Sequence, residues 1–329
     1  MGRGGPHRDE GLSVTTDAVA TRIVARSEPM RALLAVAGRL AEARSPVLLE
    51  GESGSGKDLI VHLLHESGPR KDFPLVKIHC PSIPDELLES ELFGHEKGAF
   101  TDARRAKPGK LELAAGGTVY LDQIQELHPA LQAKLLRVVE EKRFERLGGT
   151  RTIEVDIRFV ASSNASLREA VSAGRFREDL FHRLSVVPLS LPALRERPED
   201  VMPLALHFLE REHERGTTRS EGFAPDAEQM LRGYHWPGNV RELRGVVERA
   251  VLLSNGAEPI EAAALPVHLS EQPQNLWAGR DRRPTLKTIE EAYIRHVLRE
   301  TDGSQTRAAA ILGVSRKALW EKRRRFGIP

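Results

Sequence analysis

The chain has 329 residues, enough for two or three domains, and its 49 Lys and Arg against 47 Asp and Glu leave a net charge of +2. That balance excludes a globally polycationic protein, and the single cysteine, Cys80, excludes an internal disulfide and fits a reducing compartment. No apolar run approaches the roughly 18 residues of a membrane helix, and the polar opening does not read as a signal peptide, so a cytoplasmic protein with no membrane partner is expected.

Residues 1–20 are rich in Gly, Arg and Asp without periodicity, which predicts a disordered lead-in. From Met30 to Ala43, residues Leu33, Leu34, Val36, Ala37, Leu40 and Ala41 recur at helical spacing. The apolar run Val47-Leu48-Leu49 follows, then Gly51-Glu52-Ser53-Gly54-Ser55-Gly56-Lys57-Asp58, then the apolar stretch from Leu59 to Leu64. Strand, glycine loop and helix in that order form the context of a phosphate-binding P-loop. Glycines let the backbone curl so that successive N–H groups face phosphate oxygens, and the helix N-terminus adds a positive dipole end. Lys57 supplies a mobile charge for the outer phosphates, while Asp58 stands where the generic loop has Ser or Thr for Mg2+.

Pro74 to Cys80 reads as a second strand ended by Pro81, and Glu86 to Phe93 as a helix. Gly98, Ala99, Phe100, Thr101, Asp102 and Ala103 then read as a projecting loop, because Phe-Thr flanked by glycine and charge is poor core material. Gly116 to Gln123 is an apolar strand ending in Asp122, a candidate Mg2+ partner, since α/β sheets gather ligands at the carboxyl ends of their strands. Pro129 to Glu141 is an amphipathic helix, and Val155 to Ser163 a further strand ending at Asn164. Alternating strands and helices predict an α/β fold with a parallel sheet covered on both faces.

A break is expected at Leu189-Ser190-Leu191-Pro192, and from Pro198 to Ser254 every strong signal is helical. Trp236-Pro237-Gly238-Asn239 is a turn opening a helix from Val240 to Leu253. Residues 269–284 read as a linker, and the remainder as helices: Thr288 to Glu300, one from Ser304 to Leu312, a turn at Gly313, and one from Arg316 to Phe326. Two short helices across a glycine turn form a helix-turn-helix pattern. Candidate DNA contacts are Ser304, Thr306, Ser315, Arg316, Lys317 and Trp320. Lys322 and Arg323, with the arginines after them, are expected mostly at phosphates.

Taken together, these motifs resemble the bacterial enhancer-binding proteins, the AAA+ activators that act on sigma-54 RNA polymerase, over about residues 20–329. Gly51 to Asp58 matches the Walker A loop, and that family also carries an acid after the lysine. Gly98 to Ala103 matches the GAFTGA loop that contacts sigma-54, with Asp102 where the family has glycine. Asp122 matches the Walker B aspartate, Asn164 sensor I, Arg177 and Arg183 the arginine fingers, and Arg241 sensor II; the C-terminus resembles the Fis-type module. The resemblance implies ATP and Mg2+ as cofactors, Asp122 and Asp58 as metal-side carboxylates, and ATP held between subunits of a homo-oligomeric, hexameric ring. It also implies upstream DNA and sigma-54 RNA polymerase as partners. The domains expected are an AAA+ α/β subdomain at 21–190, a helical lid subdomain at 191–268, the linker, and an all-α helix-turn-helix domain at 285–329.

Two further departures bear on chemistry. Gln123 replaces the family's Walker B glutamate, and an amide cannot take a proton, so general-base help of roughly 10²–10⁴ in rate is expected to be missing. His79 stands where the family has the asparagine that pairs with that glutamate. A slow but real ATPase is expected. The second reading is a nucleotide-gated DNA-binding regulator that hydrolyses little and does without sigma-54; a bare helicase-like or chaperone ATPase fits the C-terminal module poorly. No input module is expected in so short a lead-in.

Overall fold

A computed structural model describes residues 23–82, 84–101, 103–220, 222–254, 259–269, 286–301 and 304–328. The expectations for the lead-in, for Asp102 and for nearly all of the 269–284 linker lie outside them. Two compact units divide the chain, Met1–Ala264 and Leu265–Pro329.

In the first unit the elements run α1 (Glu28–Ala41), β1 (Val47–Glu50), α2 (Lys57–Glu66), β2 (Leu75–His79), α3 (Asp85–Phe93), a hairpin of β3 (Gly94–His95) with β4 (Lys107–Pro108), and α4 (Lys110–Leu113). They continue with β5 (Thr118–Asp122), α5 (Pro129–Glu141), a second hairpin of β6 (Arg143–Glu145) with β7 (Thr152–Glu154), β8 (Arg158–Ser163), α6 (Leu167–Ser172), α7 (Glu178–Leu184) and β9 (Val187–Ser190). The central sheet has the order β2-β5-β8-β1-β9, parallel throughout. Strand alternation divides its side chains between two cores. Leu48, Leu121 and Ala161 bury on the face of α5 and α7, while Val47, Leu49, Tyr120 and Val160 bury with Ile60 and Leu64 of α2.

The break expected at 189–192 begins after one more strand, beyond which the unit is helical. Leu189 lies inside β9, which pairs with β1 from Val47↔Val187 to Glu50↔Ser190. Pro188 is tolerated there because β9 is an edge strand. The strand expected from Val155 starts only at Arg158, whose buried guanidinium donates to the carbonyls of Leu40 and Ala41 (2.6 and 2.9 Å) and of Leu64 (3.2 Å). One cation thereby caps the C-terminal ends of α1 and α2, where the helix dipoles favour positive charge, and fixes the helix that carries the phosphate loop.

A helical group completes the unit: α8 (Val201–Glu214), α9 (Pro225–Gly233) and α10 (Asn239–Leu253). The turn into α10 places two non-glycine residues at positive φ, Trp236 at 53° and Asn239 at 54°. Trp236 is fully buried and donates its indole N–H to the carbonyl of Leu231 (3.0 Å), which anchors that turn.

The second unit holds α11 (Leu286–Glu300), α12 (Gln305–Ile311) and α13 (Arg316–Arg325) around Ile294, Val297, Ala308, Leu319 and Phe326. Gly313, at φ 64°, makes the turn between α12 and α13, and Ser315 Oγ caps α13 by accepting from the N–H of Ala318 (3.1 Å).

Candidate functional site

Six residues between β1 and α2 form a loop with three glycines at positive φ: Gly51 (154°), Gly54 (76°) and Gly56 (110°). Gly54 is fixed by packing as well as by φ, since a Cβ there would lie 2.4 Å from the carbonyl oxygen of Gly238. Val240 N–H donates to Gly54 O (3.0 Å), so the turn into α10 sits directly on the loop. From that turn Arg241 donates to Ser53 Oγ (2.9 Å), and Asn239 Nδ2 donates to Glu52 Oε2 and Ser53 O (3.0 and 3.1 Å). Arg195 grips Glu52 through both terminal nitrogens, at 2.8 and 2.5 Å, and together with Asn239 holds that carboxyl down at about 2. Arg197, buried, donates to Ser55 O (2.6 Å). The Ser55 hydroxyl is itself buried and has no partner among the described residues.

Lys57 opens α2, and its ammonium lies 2.5 Å from Gly51 O, 3.0 Å from Glu52 O and 2.7 Å from Asn164 Oδ1. Burial pushes it down to about 8 against the pull of Asp122 and Asp58. Asn164, just beyond the end of β8, is therefore joined to the loop.

Asp122 ends β5. Its Oδ1 accepts from Ser162 Oγ (2.7 Å) and lies 3.0 Å from Tyr120 OH, and its Oδ2 lies 3.0 Å from His79 Nδ1 and 3.3 Å from Lys77 Nζ. Burial works to raise this carboxyl, but the Ser162 hydrogen bond and the Lys77 charge outweigh it, so it stays below the ordinary carboxylate range. Asp58 lies 2.9 Å from Tyr120 OH and 2.5 Å from Lys77 Nζ. Two carboxylates sharing two partners suit Mg2+, which commonly takes one or two protein carboxylates and leaves its other positions to phosphate and water. Among the described residues no group of three or more His, Cys, Asp or Glu gathers as a metal cage.

Gln123 follows in the left-handed region (φ 60°, ψ 53°), with its N–H donating to Ser162 Oγ (3.2 Å). His79, which stands where the family has the asparagine that pairs with the Walker B glutamate, is bonded here to Asp122, because β2–β5 register sets it opposite that residue. Lys77, Tyr120 and Ser162 were not anticipated from the sequence. Strand alternation was the available signal, since Lys77 and Tyr120 stand two residues before His79 and Asp122 on the same strand faces.

Arg177 and Arg183 are not brought to this cluster. Arg177 pairs with Asp179 (2.7 Å) and Arg183 with Glu140 (2.7 Å), both about half exposed. Elsewhere the Gly98–Ala103 loop is closed at its base by Gly98 N–H to Ala103 O (2.8 Å), with Gly98 at φ 85°. Phe100 is 42% exposed, its ring edge-on to His95 at 4.9 Å, and Thr101 is exposed. In the second unit Arg316, Lys317 and Trp320 are exposed on α13, Thr306 is exposed on α12, and Ser304 is half-buried. Lys322 departs from expectation: it is tied to Glu290 of α11 and braces the helices, and Arg323 is likewise half-buried, which leaves Arg324 and Arg325 as the exposed cations of that run.

A family model for the sigma-54 interaction domain matches residues 23–190, one for the AAA+ ATPase lid domain residues 195–280, and one for bacterial regulatory proteins of the Fis family residues 285–326. The chain belongs to the sigma-54-dependent transcriptional regulators. It is 44% identical over 308 residues to transcriptional regulatory protein ZraR of Klebsiella oxytoca, covering 93% of this chain and 69% of that one. It is 42% identical over 313 residues to regulatory protein AtoC of Escherichia coli (strain K12), covering 93% and 68%. Crystal structures of NtrX from Brucella abortus superpose with TM-scores of 0.71 in complex with ADP and 0.70 in complex with ATP, at 34% and 33% identity, each covering 93% of this chain and 70% of that one. As a sigma-54-dependent regulator of this kind, the protein is an ATP-binding AAA+ ATPase with a DNA-binding Fis-type domain. The matches favour this reading over a regulator that does without sigma-54. Among the described residues no helix is long and apolar enough to cross a membrane.

Proposed function

We propose that ATP is gripped by the Gly51–Asp58 loop and hydrolysed between neighbouring protomers of a hexameric ring in the cytoplasm, and that the Phe100–Thr101 tip transmits the nucleotide state to sigma-54. Lys57 and the loop amides would hold the phosphates. Asp122 and Asp58 would hold Mg2+, which when bound supplies charge neutralisation for the triphosphate. Asn164 and Arg241 would report the γ-phosphate, one from the sheet and one from the lid, and Arg177 and Arg183 would enter a neighbour's site. Gln123 would orient the attacking water by hydrogen bonding, without accepting its proton. The functional boundaries proposed are an α/β subdomain to residue 190, a lid over 191–268 and a DNA reader over 285–329, in which Arg316, Lys317 and Trp320 meet bases while Arg324 and Arg325 meet phosphates.

The observation that most supports this reading is the meeting of three separate elements on one loop: Asn164 on Lys57 at 2.7 Å, Arg241 on Ser53 at 2.9 Å, and Glu52 held by Arg195. Its test is promoter opening by sigma-54 polymerase on a template carrying the upstream site, followed with permanganate footprints. Opening is expected with full-length protein and ATP. Equal opening with a non-hydrolysable analogue would overturn the hydrolytic step.

A further inference from the structure

Lys77 is a charged group at the nucleotide site that the roles above do not use. Its ammonium lies 2.5 Å from Asp58 Oδ2 and 3.3 Å from Asp122 Oδ2, and 5.1 Å over the ring of Tyr120. The Tyr120 hydroxyl sits between the other oxygens of the same carboxylates, at 2.9 and 3.0 Å. A phenol has one hydrogen to donate, so Tyr120 satisfies one carboxylate at a time, whereas an ammonium has three donors and reaches both. The arrangement follows from strand register, in which Lys77 is opposite Tyr120 and His79 opposite Asp122.

Two carboxylates that share one ammonium and one phenol hydroxyl repel each other, and a positive charge placed between them offsets that repulsion. Lys57 is influenced by both, but its ammonium is already bonded to two loop carbonyls and Asn164. Lys77 has no hydrogen-bond partners among the described residues beyond the Asp58–Asp122 pair. With a side chain 43% exposed, it reaches the buried end of β5 from the solvent side.

We propose that Lys77 is the built-in counter-ion of the Asp58–Asp122 pair, a positioning residue that holds both carboxylates and competes with a divalent cation for Asp122 Oδ2, thereby setting how much Mg2+ nucleotide binding requires. The proposal rests on the reading that these carboxylates hold Mg2+. It carries two opposite consequences. Without Lys77 the carboxylates bind the divalent ion more tightly, because their competitor has gone. Without Lys77 and without a divalent ion, they repel the triphosphate more strongly.

The test is the anisotropy of a fluorescent ATP analogue on full-length protein, titrated with Mg2+ and repeated in EDTA, for the native chain, Lys77→Gln, Lys77→Met and Lys77→Arg. The Mg2+ midpoint should fall about fivefold in Lys77→Gln and Lys77→Met, while affinity in EDTA weakens by a similar factor, the scale of a half-exposed ion pair. Lys77→Arg, which keeps the charge, should stay within about twofold of native. A packing role alone would move both readouts in the same direction. An unchanged or raised midpoint in the two neutral variants overturns the role of Lys77 while leaving the metal reading intact. A native protein whose nucleotide binding ignores Mg2+ overturns both.

Discussion

The carboxyl end of the sheet and the surface of α7 carry the same kinds of charged side chain in opposite states. At the sheet, Lys57, Asp122 and Glu52 each have two or more polar partners, at least one of them from a distant part of the chain, and burial or neighbouring charge has moved their proton affinities. On α7 and just before it, Arg177 and Arg183 each hold a single exposed carboxylate. Such exposed pairs contribute little, because solvent screens them and two side chains lose freedom in forming them, and they are easily exchanged. The pocket is organised within one chain, while the two arginines are restrained by so little that another acceptor can take them.

The sharpest break of that contrast is a pair of substitutions on the exposed side. Arg177→Ala and Arg183→Ala are expected to lower ATP turnover by about 10³ while nucleotide affinity stays within about twofold. Mixing either variant with Lys57→Ala should restore turnover, because each supplies what the other lacks; steady-state ATPase assays on the mixtures read this directly. Loss of affinity in the arginine variants would place them in their own chain's pocket. On the organised side, Lys57→Ala should weaken nucleotide binding by about 100-fold in calorimetry, the scale of losing charge-assisted bonds to phosphate. Gln123→Glu should raise turnover by about tenfold or more by restoring a proton acceptor beside Asp122. An unchanged rate would mean that orientation of water, which glutamine already provides, is what limits hydrolysis.

The smallest effect concerns pH. Because burial holds the free Lys57 ammonium down at about 8, it is charged below that value and neutral above it. Bound phosphate favours the charged form, so binding takes up a proton once pH exceeds about 8. Affinity should be level below that point and fall towards tenfold per pH unit above it. The same titration on Lys57→Ala should lack that slope.

Much of this was legible in the chain itself, and the gaps have physical causes. The phosphate loop announces itself because its glycines, lysine and flanking apolar runs are contiguous, and α5 was read to both ends because Pro129 begins its amphipathic period. Strand β9 was hidden by Pro188 and Pro192, which suit an edge strand as well as they suit a break. The Lys77, Tyr120 and Ser162 cluster was hidden because it depends on register among three strands far apart in sequence, which apolar runs do not encode. His79 stands out in the sequence as a departure, yet its bond to Asp122 was hidden for the same reason. Lys322 looked like one more cation in a basic run until α11 supplied Glu290.

Two indoles stand in contrasting surroundings among the described residues. Trp236 is enclosed at the turn whose neighbours Asn239 and Arg241 touch the phosphate loop, whereas Trp320 is 52% exposed on α13, with the Arg324 guanidinium 5.7 Å from its ring. Among the described residues the unlabelled molecule thus carries two contrasting optical reporters, a blue-shifted emitter at the turn that sits on the phosphate loop and a quencher-accessible one on the helix proposed to meet DNA. The sequence holds a third tryptophan, Trp277, so isolating either signal takes two substitutions: with Trp277→Phe and Trp320→Phe, emission would report on Trp236 and the phosphate-loop turn alone, and with Trp236→Phe and Trp277→Phe it would report on Trp320 and any arrival at DNA.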